Sequence, residues 1–193
     1  MFETFASFTP PCCCAGANMA QTATPPAPVN GRFELVDHFG STVNERSFGT
    51  RHLLVFFGFS HCAIVCPREL AKLSAALNML GPLAERVQPL YISVDPQRDT
   101  PEVLRRYLLR YTGGFLGLTG SAPQVDAAKK SFRVFAQPVA DSAAPDGYVV
   151  PHTALAYLMA PGGRYEDRFA ESLDASNVAE RLRTHLERAP HVA

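Results

Sequence analysis

The sequence lacks a long apolar run and has no excess of charge of either sign. No stretch approaches the roughly eighteen apolar residues that a membrane-spanning helix needs, so none is predicted in the sequence as written. Its 18 basic residues balance 18 acidic ones, which leaves no broad field to attract nucleic acid or an anionic membrane surface. Nucleic-acid binding is therefore not expected.

Cysteines are few, and they do not form a disulfide framework. The five cysteines fall into two groups, Cys12-Cys13-Cys14 near the N-terminus and Cys62 with Cys66 further on. Adjacent cysteines do not bridge one another easily, and an odd total leaves at least one thiol unpaired. A chain of 193 residues can bury a core without disulfides, so the cysteine count leaves the redox compartment open.

The N-terminal segment, residues 1–31, has the composition of a disordered linker. It contains a single charged side chain, Glu3, together with several prolines and the Cys triplet, which is too little to form a packed core. A secretory signal needs a basic region followed by an unbroken apolar segment, and neither a signal nor an anchor is recognisable. We expect a disordered, proline-rich tail over residues 1–31 and one folded domain over residues 32–189.

Cys62 and Cys66 stand four positions apart, directly after an apolar run at residues 53–57. Pro67 suits the first position of a helix, which predicts Cys66 at the N-cap and Cys62 in the preceding loop. The positive end of a helix dipole favours the thiolate, the form that binds metal or attacks a disulfide. The pattern therefore predicts a reactive dithiol site.

Strand-like and helix-like patterns alternate along the folded part. The sequence predicts a hairpin over residues 33–43, helices over residues 68–80, 101–111, 121–132 and 174–187, and core strands over residues 52–57, 87–94, 115–118, 153–159 and 165–169. Residues 136–148 are expected to form a loop. Alternating strands and helices imply parallel pairing, and a terminal strand–turn–strand implies an antiparallel hairpin. We expect an α/β fold, a thioredoxin-like mixed sheet with helices on both faces, plus the N-terminal hairpin.

The spacing of the Cys pair is compatible with either metal binding or a disulfide. Three intervening residues leave a loop in which both sulfurs can converge on one ion as well as on each other, and an added imidazole would suit both Cu(I) and Cu(II). His152 is the best candidate, because it opens a predicted core strand at the sheet end that faces the Cys pair in a thioredoxin-like fold. His61 adjoins Cys62 but would have to fold back to share its ion. The remaining histidines are expected to be surface or capping residues: His38, His52, His185 and His191.

Three segments, residues 58–67, 93–101 and 151–158, resemble the signature blocks of the Sco/SenC family in order and spacing. The similarity extends from about Phe33 to Leu186. The family consists of thioredoxin-like copper proteins, tethered to membranes outside the cytoplasm or in the mitochondrial intermembrane space. They help to assemble the copper A centre of cytochrome c oxidase by delivering copper, by reducing the target's cysteines, or both.

The resemblance implies that Cys62, Cys66 and His152 ligate copper, as Cu(I) and Cu(II), and that the cysteines form a disulfide when metal is absent. It implies as partners the copper A-bearing subunit or another copper chaperone, and a thiol-disulfide reductant. It further implies an extracytoplasmic, periplasmic and membrane-associated location. Asp95 would lie near the site without ligating, and Arg98 and Asp99 could pair to brace that loop.

The Cys loop of this chain differs from the loop that is usual in the family. Family members often carry Pro and Asp inside the Cys loop, where this chain has Ala63 and Ile64, so the loop is more apolar.

The alternative function is a thiol-disulfide oxidoreductase, which needs both cysteines but has little use for His152. The absence of tryptophan, usual before a thioredoxin Cys pair, and the wider sulfur spacing weaken that alternative. A metallochaperone is favoured over an enzyme.

Overall fold

The computed structural model of the protein describes residues 29–144 and 146–188. The tail that is predicted to be disordered covers residues 1–31, and of these the described part of the chain includes only residues 29–31. Cys12, Cys13, Cys14 and His191 also lie outside it.

The elements follow one another in the predicted alternation. The strands are β1 Glu34–Asp37, β2 Thr42–Asn44, β3 His52–Gly58, β4 Val87–Ser93, β5 Leu116–Thr119, β6 Val139–Ala140, β7 Tyr148–Val149, β8 Leu155–Met159 and β9 Tyr165–Ala170. The helices are α1 Val65–Leu80, α2 Pro101–Leu108, α3 Ala122–Phe132 and α4 Ala175–Arg188, with a 3-10 helix at Gly81–Arg86. Of the helices in these residues, none has the length and apolar character needed to cross a bilayer.

The main sheet is mixed, as predicted. Its strands lie in the order β2-β1-β5-β4-β3-β8-β9. Strand β4 pairs in parallel with both β3 and β5, whereas β8 pairs antiparallel with β3 and with β9, and β1 pairs antiparallel with β2 and β5. The parallel strands β3 and β4 occupy the centre, so their carboxyl ends meet at one edge of the sheet.

Helices cover both faces of this sheet, which confirms the thioredoxin-like prediction. One face packs against α1, α2 and α4, through side chains such as Phe56, Leu70 and Leu182. The other packs against α3, through side chains such as Phe57 and Phe132. Every residue of β3 is buried, because that strand is covered on both faces and paired on both edges.

Two predictions of local structure were wrong. Helix α1 begins at Val65, so Cys66 lies inside the first turn and is not the N-cap; proline is tolerated at Pro67 because first-turn amides have no intrahelical acceptor. Residues 136–148, predicted as a loop, contain β6 and pair it antiparallel with β7. Each of these strands has two residues, too few to produce a visible alternation of apolar and polar side chains.

His52 was also predicted wrongly as a surface or capping residue. It is 1% exposed at the start of β3, where neighbouring elements cover it. Its Nε2 lies 3.3 Å from Oε2 of Glu166 in β9, and the same oxygen lies 3.7 Å from Nδ1 of His185 in α4. This histidine–carboxylate cluster lies at the opposite end of β3 from the Cys pair.

Candidate metal centre

The two cysteines lie where β3 ends and α1 begins. Cys62 closes a turn in which its amide donates to the Phe59 carbonyl (3.1 Å), and its sulfur accepts the Cys66 amide (3.4 Å). The Cys62 sulfur thus takes the capping role that the side chain of Ile64, the residue before the helix, does not fill. Cys62 is half-buried and Cys66 fully buried, and both are free thiols.

The surroundings of the pair make the two thiols unequal. The pKa of Cys62 is lowered to about 5, first because the Cys66 thiol donates to its sulfur and then because the amides of Cys66, Ile64 and Val65 point at it, against the opposing effect of burial. The pKa of Cys66 is raised, because its proton is held by Cys62 and because the side chain is buried. Near neutral pH the pair therefore consists of an accessible thiolate and a buried thiol.

His152 lies just before β8, in a bridge with Ala136, and its ring faces the buried sulfur. Its Nδ1 lies 2.9 Å from the Val150 carbonyl oxygen. Because a carbonyl only accepts, Nδ1 carries a proton, and in the neutral ring Nε2 then has the free lone pair. That Nε2 lies 3.7 Å from Sγ of Cys66, and the edge-on ring of Phe59 supports the imidazole at 5.6 Å between centroids.

The structure brings the three predicted residues together without gathering their donor atoms around one point. In residues 29–144 and 146–188, no three side chains of His, Cys, Asp or Glu are grouped so as to hold a metal ion. The separation of Cys66 and His152 nevertheless fits: ligands of one tetrahedral ion with bonds of about 2.3 Å to sulfur and 2.0 Å to nitrogen lie roughly 3.5 Å apart. A backbone hydrogen bond that fixes the imidazole tautomer is also usual for metal-ligating histidines.

Asp99 braces the Cys loop from beneath. It is fully buried and accepts hydrogen bonds from the Ser60 amide (3.1 Å) and the Ser93 hydroxyl (2.6 Å). Burial raises the pKa of this carboxyl, against the effect of the two serines. Asp99 therefore ties the loop between β3 and α1 to the end of β4.

The predicted pairing of Arg98 with Asp99 was wrong. Arg98 binds Asp95, with 2.5 Å between Nε and Oδ2, because the Asp99 carboxylate is already engaged by the two serines. Its guanidinium also reaches Asp146 (3.3 Å) and stacks on the Tyr148 ring, 3.8 Å from the centroid. Arg98 thereby ties the loop after β4 to the segment that leads into His152.

Asp95 is 5% exposed, and its contacts connect it to the site indirectly. The Tyr148 hydroxyl donates to its carboxylate at 3.1 Å, and Tyr148 is followed closely by Val150 and His152. No hydrogen bond of Asp95 with either cysteine or with His152 is found in the described part of the chain, so its influence on the site stays a prediction. Tyr148 was missed by sequence reasoning, since its partners lie about 50 positions away and its surroundings read as a polar loop.

An open groove of about 610 Å³ leads to the half-buried sulfur of Cys62. Its lining includes Phe59, Ile64, Val149 and Pro151, and it is therefore mostly apolar. Ile64, one of the two apolar residues that distinguish this Cys loop, is 71% exposed. His61 does not face the sulfurs: its Nε2 lies 3.6 Å from the Asp146 carboxylate.

A reactive dithiol at the start of a helix, after the central strand of a mixed sheet covered on both faces, defines a thioredoxin-like protein. The family model described as SCO1/SenC matches residues 21–187, and the chain belongs to this family. It is 37% identical over 158 residues to the mitochondrial protein SCO2 homolog of Danio rerio, covering 81% of this chain and 56% of that protein. The chain thus spans little more than half the length of that relative.

Solved structures of the family have the same fold. The structure of Arabidopsis thaliana ScoI with copper bound has a TM-score of 0.78 and 28% identity, covering 84% of this chain and 100% of that one. The structure of yeast Sco1 with copper bound has a TM-score of 0.76 and 33% identity, covering 86% of this chain and 92% of that one.

Proposed function

We propose that the protein is a copper-binding assembly factor that holds one copper ion through Cys62, Cys66 and His152 and delivers it to the copper A centre of cytochrome c oxidase. The observation that carries this proposal is the imidazole: its Nδ1 is anchored on the Val150 carbonyl, and its Nε2 lone pair faces the buried Cys66 sulfur at 3.7 Å. A dithiol that only exchanges disulfides has no need of an imidazole in this position. The copper-bound structures of two relatives support the same choice of metal.

The two thiols have different roles in binding the ion. Cys62 is half-exposed and already a thiolate near neutral pH, so it is the first ligand that an arriving copper ion meets. Cys66 would follow by releasing to solvent the proton that it holds toward Cys62, and His152 would add its Nε2 as the third ligand. Two soft thiolates favour Cu(I), while the imidazole also accommodates Cu(II), so one site serves both oxidation states of the cargo.

Delivery requires a partner to reach the ion, and the apolar groove above Cys62 supplies the access. Exposed apolar side chains such as Ile64 suit a transient protein contact. The partner would be the copper A-bearing subunit or another copper chaperone, with a thiol-disulfide reductant to keep the pair reduced. By family, the location would be extracytoplasmic and membrane-associated, on the periplasmic face.

Titration of the fully reduced protein with Cu(I) and Cu(II) tests this function, with absorption followed in the thiolate-to-copper charge-transfer region. We expect one copper per chain, lost in Cys62→Ala, Cys66→Ala and His152→Ala while circular dichroism shows an intact fold. His61→Ala is the matched control, since that imidazole adjoins Cys62 but turns toward Asp146, and it should retain copper. Tight stoichiometric copper in His152→Ala would count against the proposal.

The second candidate is a thiol-disulfide oxidoreductase that reduces cysteines of a partner protein. The asymmetry of the pair favours it, because an exposed thiolate beside a buried thiol suits an attacking and a resolving cysteine. This function predicts equal reductase activity in wild type and His152→Ala, with or without copper. Loss of both copper and physiological activity in His152→Ala would exclude it as the main role.

A further inference from the structure

A buried tyrosine hydroxyl lies directly under the candidate metal centre. Tyr91 is in β4, where it pairs with Phe56 of β3, and it is fully buried. In the described part of the chain, its hydroxyl has no hydrogen-bond partner of acceptable geometry. Buried hydroxyls are normally paired, so this one calls for an explanation.

The Cys66 sulfur lies close to that hydroxyl: after burial, the nearby Cys66 side chain also raises the pKa of Tyr91. A Cβ placed on Gly58, the last residue of β3, would lie 2.6 Å from the Tyr91 oxygen and 2.7 Å from Sγ of Cys66. Both atoms thus crowd the space that the missing side chain of Gly58 leaves open. A side chain at this position would force the hydroxyl, the sulfur or both to move.

The partner of the hydroxyl depends on the chemical state of the sulfur. A neutral thiol is a weak acceptor, whereas a sulfur that carries negative charge or binds a metal accepts a hydrogen bond strongly. A thiol that donates its own proton to a neighbouring thiolate is polarised and lies between these two cases. Hydrogen bonds to cysteine sulfurs are an established means by which proteins tune metal–thiolate sites.

We propose that Tyr91 is a positioning residue whose hydroxyl donates a hydrogen bond to the Cys66 sulfur, most strongly when that sulfur ligates copper. Its effect on bound copper rests on the proposed function, whereas its effect on the dithiol does not. The bond would withdraw electron density from the sulfur and would orient this side chain within the dithiol. Gly58 supplies the space in which the two atoms meet.

Two measurements on Tyr91→Phe test this, and Tyr107→Phe is the matched control. Tyr107 has a ring 5.8 Å from that of Tyr91 and a buried hydroxyl that likewise makes no hydrogen bond of good geometry in the described residues. The atoms nearest to the open space at Gly58 belong to Tyr91 and Cys66 and not to Tyr107. Each variant loses one oxygen and keeps its ring, so packing is preserved in both.

The first measurement is the absorption and retention of copper. In Tyr91→Phe we expect the thiolate-to-copper band to move to lower energy and copper retention to weaken about tenfold, as for loss of one hydrogen bond to a charged group. Tyr107→Phe should match wild type in both respects. A band and retention unchanged in Tyr91→Phe, or changed equally in the two variants, would overturn the assignment.

The second measurement uses the metal-free protein in glutathione redox buffer. Cys62 and Cys66 each lose one electron, and the pair releases the one proton that it holds near neutral pH. One glutathione disulfide takes up the two electrons, that proton and a second proton from solvent to become two glutathione thiols. Because a disulfide sulfur is the poorer acceptor, Tyr91→Phe should shift this equilibrium severalfold toward the disulfide, and Tyr107→Phe should not. If wild type takes up no copper, the proposed function fails, and the redox equilibrium alone then tests the hydrogen bond from Tyr91 to Cys66. An equilibrium in Tyr91→Phe that does not differ from that in Tyr107→Phe would show that this hydrogen bond is not made.

Discussion

At the residue scale, Cys62 and Cys66 hold one proton between them near neutral pH. The pKa of Cys62 is lowered to about 5 chiefly by the hydrogen bond from Cys66, and the helix amides add to that effect. This arrangement places the charge on the accessible sulfur and the proton on the buried one. The site is therefore ready to capture a soft metal ion without first releasing a proton from Cys62.

This charge distribution predicts the pH dependence of alkylation. Only the thiolate reacts, so the rate of Cys62 modification by iodoacetamide should rise as the pH passes through about 5 and stay level above it. In Cys66→Ala the donor is lost, and the midpoint should move upward, because the largest stabilisation of the thiolate is removed. A wild-type midpoint near the ordinary thiol pKa of about 8.5 would contradict the described asymmetry.

At the scale of elements, the Cys pair and the imidazole lie on separate segments of the chain, and different contacts hold each segment. Asp99 binds Ser60 and so fixes the Cys loop to β4. Arg98 fixes the segment around Tyr148 through its contacts with Asp95 and Asp146. The position of His152 thus depends on a guanidinium about fifty residues earlier in the chain.

Arg98→Ala should loosen that segment without removing a ligand. We expect amide hydrogen exchange in residues 146–152 to become severalfold faster, since a stacked and ion-paired guanidinium is lost, while β3 and β4 stay protected. Arg106→Ala is the control, because its ion pair with Glu102 lies on the exposed face of α2. Unchanged exchange in Arg98→Ala would show that the segment is held by other contacts.

The sequence allowed most elements to be predicted, and the failures have physical causes. The helix at 68–80 was recognised from its leucines, but its first turn was not, because a sulfur four residues before Cys66 caps it. The Cys pair could be found because both residues lie in one motif. His152 could be assigned only through the fold and the family, and the partners of Arg98 depend on side-chain directions that no local pattern encodes.

At the scale of the whole molecule, β3 connects two polar centres through a fully buried strand. The Cys pair follows its carboxyl end, and His52 stands at its other end among Glu166 and His185. Burial lowers the pKa of His52; Glu166 opposes this effect, and Arg86, His185 and Arg164 add to it. Folding therefore keeps His52 neutral at pH values where the unfolded chain begins to bind a proton.

This shift predicts that acid destabilises the protein partly through His52. Between the lowered folded pKa and the ordinary value of about 6.5, the unfolded state binds more protons, so stability falls as the pH decreases through this window. Urea unfolding at about pH 7.5 and about pH 5 should show a smaller loss in His52→Gln than in wild type. His61→Gln, which alters an exposed histidine, should keep the full loss; an equal loss in His52→Gln would contradict the assignment.

The coordination of copper in the loaded protein tests the central claim most directly. X-ray absorption at the copper edge should detect two sulfur ligands and one imidazole nitrogen in wild type. In His152→Ala, any copper that still binds should have lost the imidazole and kept the sulfurs. An imidazole signal that persists in His152→Ala, or its absence from wild type, would contradict the account.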